Sequence, residues 1–224
     1  MALYLNVPYE KKDQVKSLGA KWDQIRKQWY VINKFDYYKF FEWFPAVYEE
    51  CDLICDCMYI VEAPRKCHKC KKDTSVIGLA YRNYFSIKQD DNGNMIDYKY
   101  HDEYLNFFTM DEKIDNTQLE LFLKNEFRFY YSYSKYISDS YYANHCEHCG
   151  VIQGNYHLYE EPSSPFFDLD NADDKLREKI KLYRINFIED GITIPEYTGD
   201  GFLPDQDAKI KLIDSLNMKP MDIY

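Results

Sequence analysis

The alternation of apolar and polar residues over Leu3–Val7 reads as a short strand, and Pro8 breaks it. From Glu10 to Leu18, Val15 and Leu18 share one side while Lys11, Lys12, Asp13, Gln14 and Lys16 fall elsewhere, which predicts a short amphipathic helix stopped at Gly19. Asp23 suits a turn closed by its own carboxylate, and Gln28–Ile32 then reads as a second strand. Aromatic residues at Tyr37, Phe40, Phe41 and Phe44 predict a helix over Asp36–Phe44, docked on the small sheet and ended by Pro45. The expectation is a compact strand-helix-strand-helix module over residues 1–46, followed by a larger body over 47–224.

In that body Met58–Val61 reads as a strand terminated by Ala63 and Pro64, and Val76–Leu79 as another. Tyr81–Ile87 and Met95–Tyr100 flank Asp90–Asn94, whose Asn-Gly pair supplies the positive φ of a hairpin turn. Thr117 with Glu120 forms a capping box that opens a helix carrying Leu119, Phe122, Leu123 and Phe127. Residues 154–159 alternate as a strand and Glu160–Pro165 is loop. Leu176, Ile180, Tyr183 and Phe187 give Asp173–Phe187 a helical spacing, and a last helix is expected over Gln206–Leu216. Strands and helices mixed in this way predict an α+β fold.

Composition narrows the class. With 46% hydrophobic and 29% charged residues over 224 positions, the chain falls in the globular range and is long enough to bury a core. No charged-then-apolar leader opens it and no apolar run nears the roughly 20 residues of a membrane span. A soluble, cytoplasmic protein with no membrane partner is therefore expected. Charge is uneven: residues 1–46 hold eight Lys/Arg against five Asp/Glu, a net of +3, leaving −13 on the remainder of a −10 total. An acidic body repels phosphate backbones at long range, so any nucleic-acid contact falls to a local basic face.

The seven cysteines carry the sharpest chemistry. Cys67-His-Lys-Cys70 and Cys146-Glu-His-Cys149-Gly150 have knuckle spacing, in which one turn aims two sulfurs at a single tetrahedral centre. In an unexported chain such pairs favour metal or free thiols over disulfides. Together they predict one structural Zn²⁺, with no other small-molecule cofactor. Gly150 suits the positive φ of a tight knuckle, and Lys66, Lys69, Lys71 and Lys72 offset the charge of the thiolates. His68, His145 or His148 could replace one cysteine, and redox use of the Cys-x-x-Cys pairs is a rival. Cys51, Cys55 and Cys57 lack knuckle spacing and are read by default as packing residues, with a second metal or redox site as the alternative. The 75 residues between the knuckles exceed a compact zinc finger, so they form a structured insertion within a zinc-ribbon-like body.

Two stretches carry a family resemblance. Tyr4–Tyr9, Lys12-Asp13, Lys16–Ala20, Trp22-Asp23 and Trp29–Val31 resemble a small bacterial domain of unknown function that is also fused to plasmid primases, and more weakly a HARP domain. Ser138–Pro162 resembles the signature that follows this module in uncharacterised bacterial and phage proteins. The resemblance implies the zinc ligands and a mobile-element, nucleic-acid neighbourhood, and no catalytic role. Trp22 and Trp29 are read as core tryptophans before base-stacking platforms.

No Gly-x-Ser-x-Gly, P-loop, dinucleotide fingerprint or His-Glu-x-x-His appears, and Glu160, Glu161 and His157 offer only loose catalytic material. No catalytic residues are assigned. The expected function is that of a non-enzymatic zinc-binding accessory protein acting by macromolecular interaction in a nucleic-acid-related process. Lys11, Lys12, Lys16, Lys21, Arg26 and Lys27 would touch the nucleic-acid backbone. The alternatives are an acidic regulator or inhibitor that binds a protein partner, such as an anti-defence factor, and a hydrolase or nuclease with an unrecognised site.

Overall fold

The computed structural model describes residues 2–44, 50–54, 57–102, 104–109, 117–162, 164–167, 169, 174–186, 192–195 and 210–213. In chain order they form β1 (Leu3–Leu5), a 3₁₀ turn (Tyr9–Lys11), α1 (Lys12–Ser17), β2 (Lys21–Asp23), β3 (Gln28–Val31) and a 3₁₀ helix (Lys34–Trp43). Next come β4 (Glu50–Ile54), β5 (Cys57–Lys66), β6 (Asp73–Tyr81), β7 (Tyr84–Gln89), β8 (Met95–His101), β9 (Asn106–Phe108) and α2 (Thr117–Phe127). The chain continues through β10 (Phe129–Ser134), β11 (Asp139–His145), β12 (Ile152–Gln153), a π-helical turn (Tyr156–Glu160), α3 (Asp174–Arg177), β13 (Lys181–Asn186), β14 (Ile192–Pro195) and β15 (Ile210–Ile213). The class is α+β, as the sequence predicts. Among the described residues no helix is long and apolar enough to cross a membrane.

The chain divides into two compact units. One gathers residues 1–58, 82–103 and 186–196, so the N-terminal module shares it with the β7–β8 hairpin. The expected boundary between residues 46 and 47 lies outside the described residues. Antiparallel β1-β3-β2 supplies Leu3, Leu5 and Val31 to a core that also takes Val15 of α1. Tyr37, Phe40 and Trp43, three residues apart, are all buried on the segment expected to be helical. A 3₁₀ helix turns every three residues, so this spacing lines all three up on the sheet. Asn33 caps it, its Oδ1 accepting from Phe35 N at 3.2 Å. Phe85 and Ile87 of β7 complete the core, and Phe85 stacks on Tyr98 at 4.4 Å. The β7–β8 turn is as predicted: Gly93 takes φ +78°, and Asp90 Oδ1 accepts from Asn92 N and Asn94 N. The four-stranded sheet of this unit runs β14-β4-β7-β8.

The other unit holds residues 59–81, 104–185 and 197–224, with a five-stranded sheet β15-β13-β5-β6-β9 and a three-stranded sheet β10-β11-β12. Helix α2 forms where the capping box places it, with Leu119 and Leu123 buried. Four local expectations are corrected here. Strand β5 does not stop at Pro64 but runs on to Lys66, pairing Pro64 with Ser75. Ser75 gives its N–H to Glu147, so position 64 is asked for no ladder bond toward β6, and a proline fits. Residues 156–160 form a π-helical turn that buries Leu158, rather than a strand. The helix expected over Asp173–Phe187 shrinks to Asp174–Arg177 and becomes strand from Lys181, with Leu182 and Ile185 buried in the sheet. The last expected helix is likewise strand over Ile210–Ile213, parallel to β13, and its other residues lie outside the described ones.

Candidate metal centre

Both knuckles cap antiparallel pairings and are built alike. The β5–β6 ladder ends at Lys66 opposite Asp73, and the β11–β12 ladder at His145 opposite Ile152. In the first loop Cys67 N donates to Lys72 O at 2.9 Å and Lys71 N to Cys67 O at 3.0 Å; in the second Cys146 N donates to Val151 O at 3.0 Å and Gly150 N to Cys146 O at 2.9 Å. The residue after each second cysteine is left-handed, Lys71 at φ +61° and Gly150 at φ +68°. Gly150 was legible as such a position; Lys71 was not, although it holds the same place relative to Cys70. Glycine takes this conformation freely, whereas a lysine does so against its Cβ.

The two loops bring all four predicted sulfurs together, each within 4.8 Å of the others. Cys67 Sγ lies 3.7 Å from Cys149 Sγ, and Cys70 Sγ 3.7 Å from Cys146 Sγ, far beyond the roughly 2.05 Å of a disulfide. All four thiols are free, Cys67 and Cys146 buried, Cys70 half-buried and Cys149 exposed. His148 N donates to Cys146 Sγ at 3.4 Å and Gln153 Nε2 to Cys67 Sγ at 3.5 Å.

Electrostatics suit a cation. Burial alone would raise the Cys67 thiol, but the N–H groups of Cys70 and Lys69 and the neighbouring thiols outweigh it and bring the pKa down to about 6. Cys146 shifts down too, the N–H groups of His148 and Cys149 prevailing over burial. At Cys70 the Lys72 N–H pulls the pKa down, yet burial and the three other thiols together push it up to about 11. Four thiols this close cannot all lose their protons unless positive charge sits between them. The set could hold one metal ion.

His145 and His148 have other partners. His148 Nε2–H donates to Asp73 O at 2.8 Å, and His145 stacks on Tyr130 at 3.8 Å while its Nδ1–H points to Arg128 O. Burial lowers the pKa of His145, which keeps the ring neutral and able to accept from Ser132 Oγ. His68 is exposed. His157 Nδ1 pairs with Glu161 Oε2 at 2.9 Å on a half-exposed turn.

Side chains beside the second knuckle bind the chain beside the first. Glu147 Oε1 accepts from Ser75 N at 2.7 Å while Glu147 N donates to Thr74 Oγ1 at 3.1 Å. Asn144 Oδ1 accepts from Ile77 N at 2.7 Å, and Asn144 Nδ2 donates to Ile77 O at 2.8 Å. Sequence reasoning missed both residues, since their partners lie some seventy positions away. Of the other cysteines, Cys51 lies on β4 and Cys57 on β5, while Cys55 lies outside the described residues.

The basic residues of the N-terminal module divide. Lys12 and Lys27 line one cleft with Tyr9, Trp22 and Trp29. Lys11, Lys16 and Lys21 are exposed elsewhere on the module, and Arg26 lies over the Tyr4 ring at 4.5 Å. The turn between β2 and β3 is closed as predicted, Asp23 Oδ1 accepting from Ile25 N at 2.8 Å and Arg26 N at 3.0 Å. Those N–H groups and the Tyr4 hydroxyl lower the Asp23 pKa.

Comparison with known proteins bears on this module. Two DNA primases TraC of Escherichia coli are each 50% identical to the chain over 40 residues, 18% of this chain and 3% and 4% of theirs. The shared stretch thus spans a small part of those primases. No solved structure matches the chain significantly. Residues 2–45 match a domain of unknown function, DUF5710.

Proposed function

We propose that this chain is a non-enzymatic, zinc-binding accessory protein of a bacterium or its mobile elements, acting by macromolecular interaction in a nucleic-acid-related process. The observation that carries the reading is the convergence of four sulfurs within 4.8 Å of one another, with two of their separations at 3.7 Å. A zinc–sulfur bond of about 2.3 Å makes a tetrahedron with an edge of about 3.8 Å, so two edges of the cluster already have the size zinc requires. Four sulfurs close the shell and leave no place for water, so the ion supplies cohesion and not hydrolysis. Two hairpin knuckles facing one ion make a zinc-ribbon-like body.

The nucleic-acid side of the proposal rests on the stretch shared with the primases and on Lys11, Lys12, Lys16, Lys21, Arg26 and Lys27 within it. Backbone contacts by these residues make binding salt-sensitive. Melting with and without a strong chelator, beside gel shifts at low and raised salt, tests both parts. An unchanged melt removes the zinc, and no shift with single-stranded, duplex or structured nucleic acid removes the nucleic acid.

A protein partner is the second reading. At the β10–β11 hairpin, Tyr133 near the end of β10 and Tyr136 and Ile137 in the turn are exposed by 59%, 97% and 54%, an apolar tip on an acidic chain. Tyrosine on such a tip suits an interface with a basic partner.

A further inference from the structure

The cleft between the start of α1 and the β2–β3 hairpin has a volume of about 580 Å³, within the range of small-molecule sites. Trp22 and Trp29 face each other across the β2–β3 pairing and meet edge-on at 5.4 Å. Trp29 is half-buried, but Trp22 is 47% exposed, and Tyr9 on the opposite wall is 76% exposed. The sequence reading of Trp22 as a core residue is therefore corrected. An indole braced edge-on by a second indole and about half exposed to water offers ring surface on which a base can stack. Cations accompany it: Lys12 Nζ sits 3.9 Å over the Tyr9 ring and donates to its hydroxyl at 2.7 Å, and Lys27 lines the same cleft. No carboxylate is among the lining residues, although the chain carries a net −10.

We propose that this cleft takes an unpaired base of single-stranded nucleic acid, stacked on Trp22, with Lys12 and Lys27 against the flanking phosphates. Aromatic faces beside cations, with no carboxylate among the lining residues, complement a base and its phosphates. The inference rests on the reading that the N-terminal module meets nucleic acid, and it adds where, how and to which form. Duplex DNA offers no free base face, so the cleft discriminates against it.

The test is fluorescence anisotropy on the full chain with labelled 12-nucleotide oligodeoxythymidylate, oligouridylate, a duplex of equal length and an abasic strand. Wild type should prefer either base-bearing strand over the duplex and the abasic strand, and the two strands separate DNA from RNA as the ligand. Trp22→Ala should weaken single-strand binding roughly 5- to 150-fold, the range for loss of one stacked base, and Trp22→Phe should restore most of it. Lys12→Gln with Lys27→Gln should reduce the slope of log K against log salt by about 1.4. Thermal melts of all variants check folding, and Trp22→Phe keeps the test sound if Trp22→Ala is unstable. If wild type binds the strand but both Trp22 variants and the abasic strand bind as well, the cleft inference fails while the broader reading stands. If no nucleic acid binds at 50 mM salt, both fail.

Discussion

Asn144 pairs with Ile77 as a neighbouring strand would, its side-chain oxygen taking the Ile77 N–H at 2.7 Å and its side-chain nitrogen giving to the Ile77 carbonyl at 2.8 Å. Asn144 and Ile77 are both about 1% exposed, so neither backbone group of Ile77 can turn to water instead. One side chain thereby ties the strand entering the second knuckle to the strand leaving the first. Asn144→Ala should orphan a buried donor and a buried acceptor and lower unfolding free energy by about 2–6 kcal/mol, at 1–3 kcal/mol for each group. Urea unfolding measures it, and a loss under about 1 kcal/mol would mean the pairing is dispensable.

The knuckle backbones predict opposite effects at matched positions. Gly150→Ala places a Cβ at φ +68° and should destabilise by about 1–2 kcal/mol, although nothing within 4 Å opposes the methyl itself. Lys71→Gly releases the same strain at φ +61° and should stabilise by up to about 1 kcal/mol. Thermal melts of the metal-loaded protein decide it; equal signs for the two substitutions would contradict the equivalence of the loops.

Gly78 predicts a steric effect. A Cβ built there would lie 2.6 Å from the Phe107 ring and 3.2 Å from the Tyr159 hydroxyl. Phe107 is buried against Tyr159 and Phe166 and has little room to give. Gly78→Ala should lower stability by about 1–3 kcal/mol in denaturant unfolding. A neutral result would mean this packing yields easily.

Glu62 and Tyr183 predict pH limbs on both sides. Burial would raise the Glu62 pKa, but Ser75 Oγ, Tyr183 OH and Lys181 Nζ donate to it at 2.6, 2.6 and 3.1 Å and the balance lowers it below 4.5. A lowered carboxylate adds stability that is complete above about pH 4.5 and is lost as pH falls through the folded value. Burial, then the hydrogen bond to Glu62 and its charge, raises the Tyr183 pKa above 10, so its contribution is complete below pH 10 and is lost as pH climbs further. The stability difference between wild type and Glu62→Gln should be flat from about pH 5 to 10 and shrink beyond either end. A difference that stays constant below pH 4.5 would contradict it.

What the sequence disclosed follows the reach of the forces involved. The Cys67–Cys70 and Cys146–Cys149 knuckles and the Asp90–Asn94 turn are set by neighbours a few residues apart, so they could be read directly. Residues 181–186 could not, because Leu176, Ile180 and Tyr183 satisfy a helical spacing that the open edge of β5 overrides by offering a strand to pair with. Pro64 misled for the same reason, since its fitness for a strand depends on Ser75 donating to Glu147. Trp22 reads as core by residue type alone; its exposure is a property of where the small sheet ends.

The centre of the account is one closed four-sulfur metal site joining the chain across a long insertion. X-ray absorption at the zinc edge, on protein purified without added metal, tests it most directly. One zinc per chain with four sulfurs at about 2.3 Å is the predicted result. A folded protein without zinc, or a zinc shell containing oxygen or nitrogen, would contradict it.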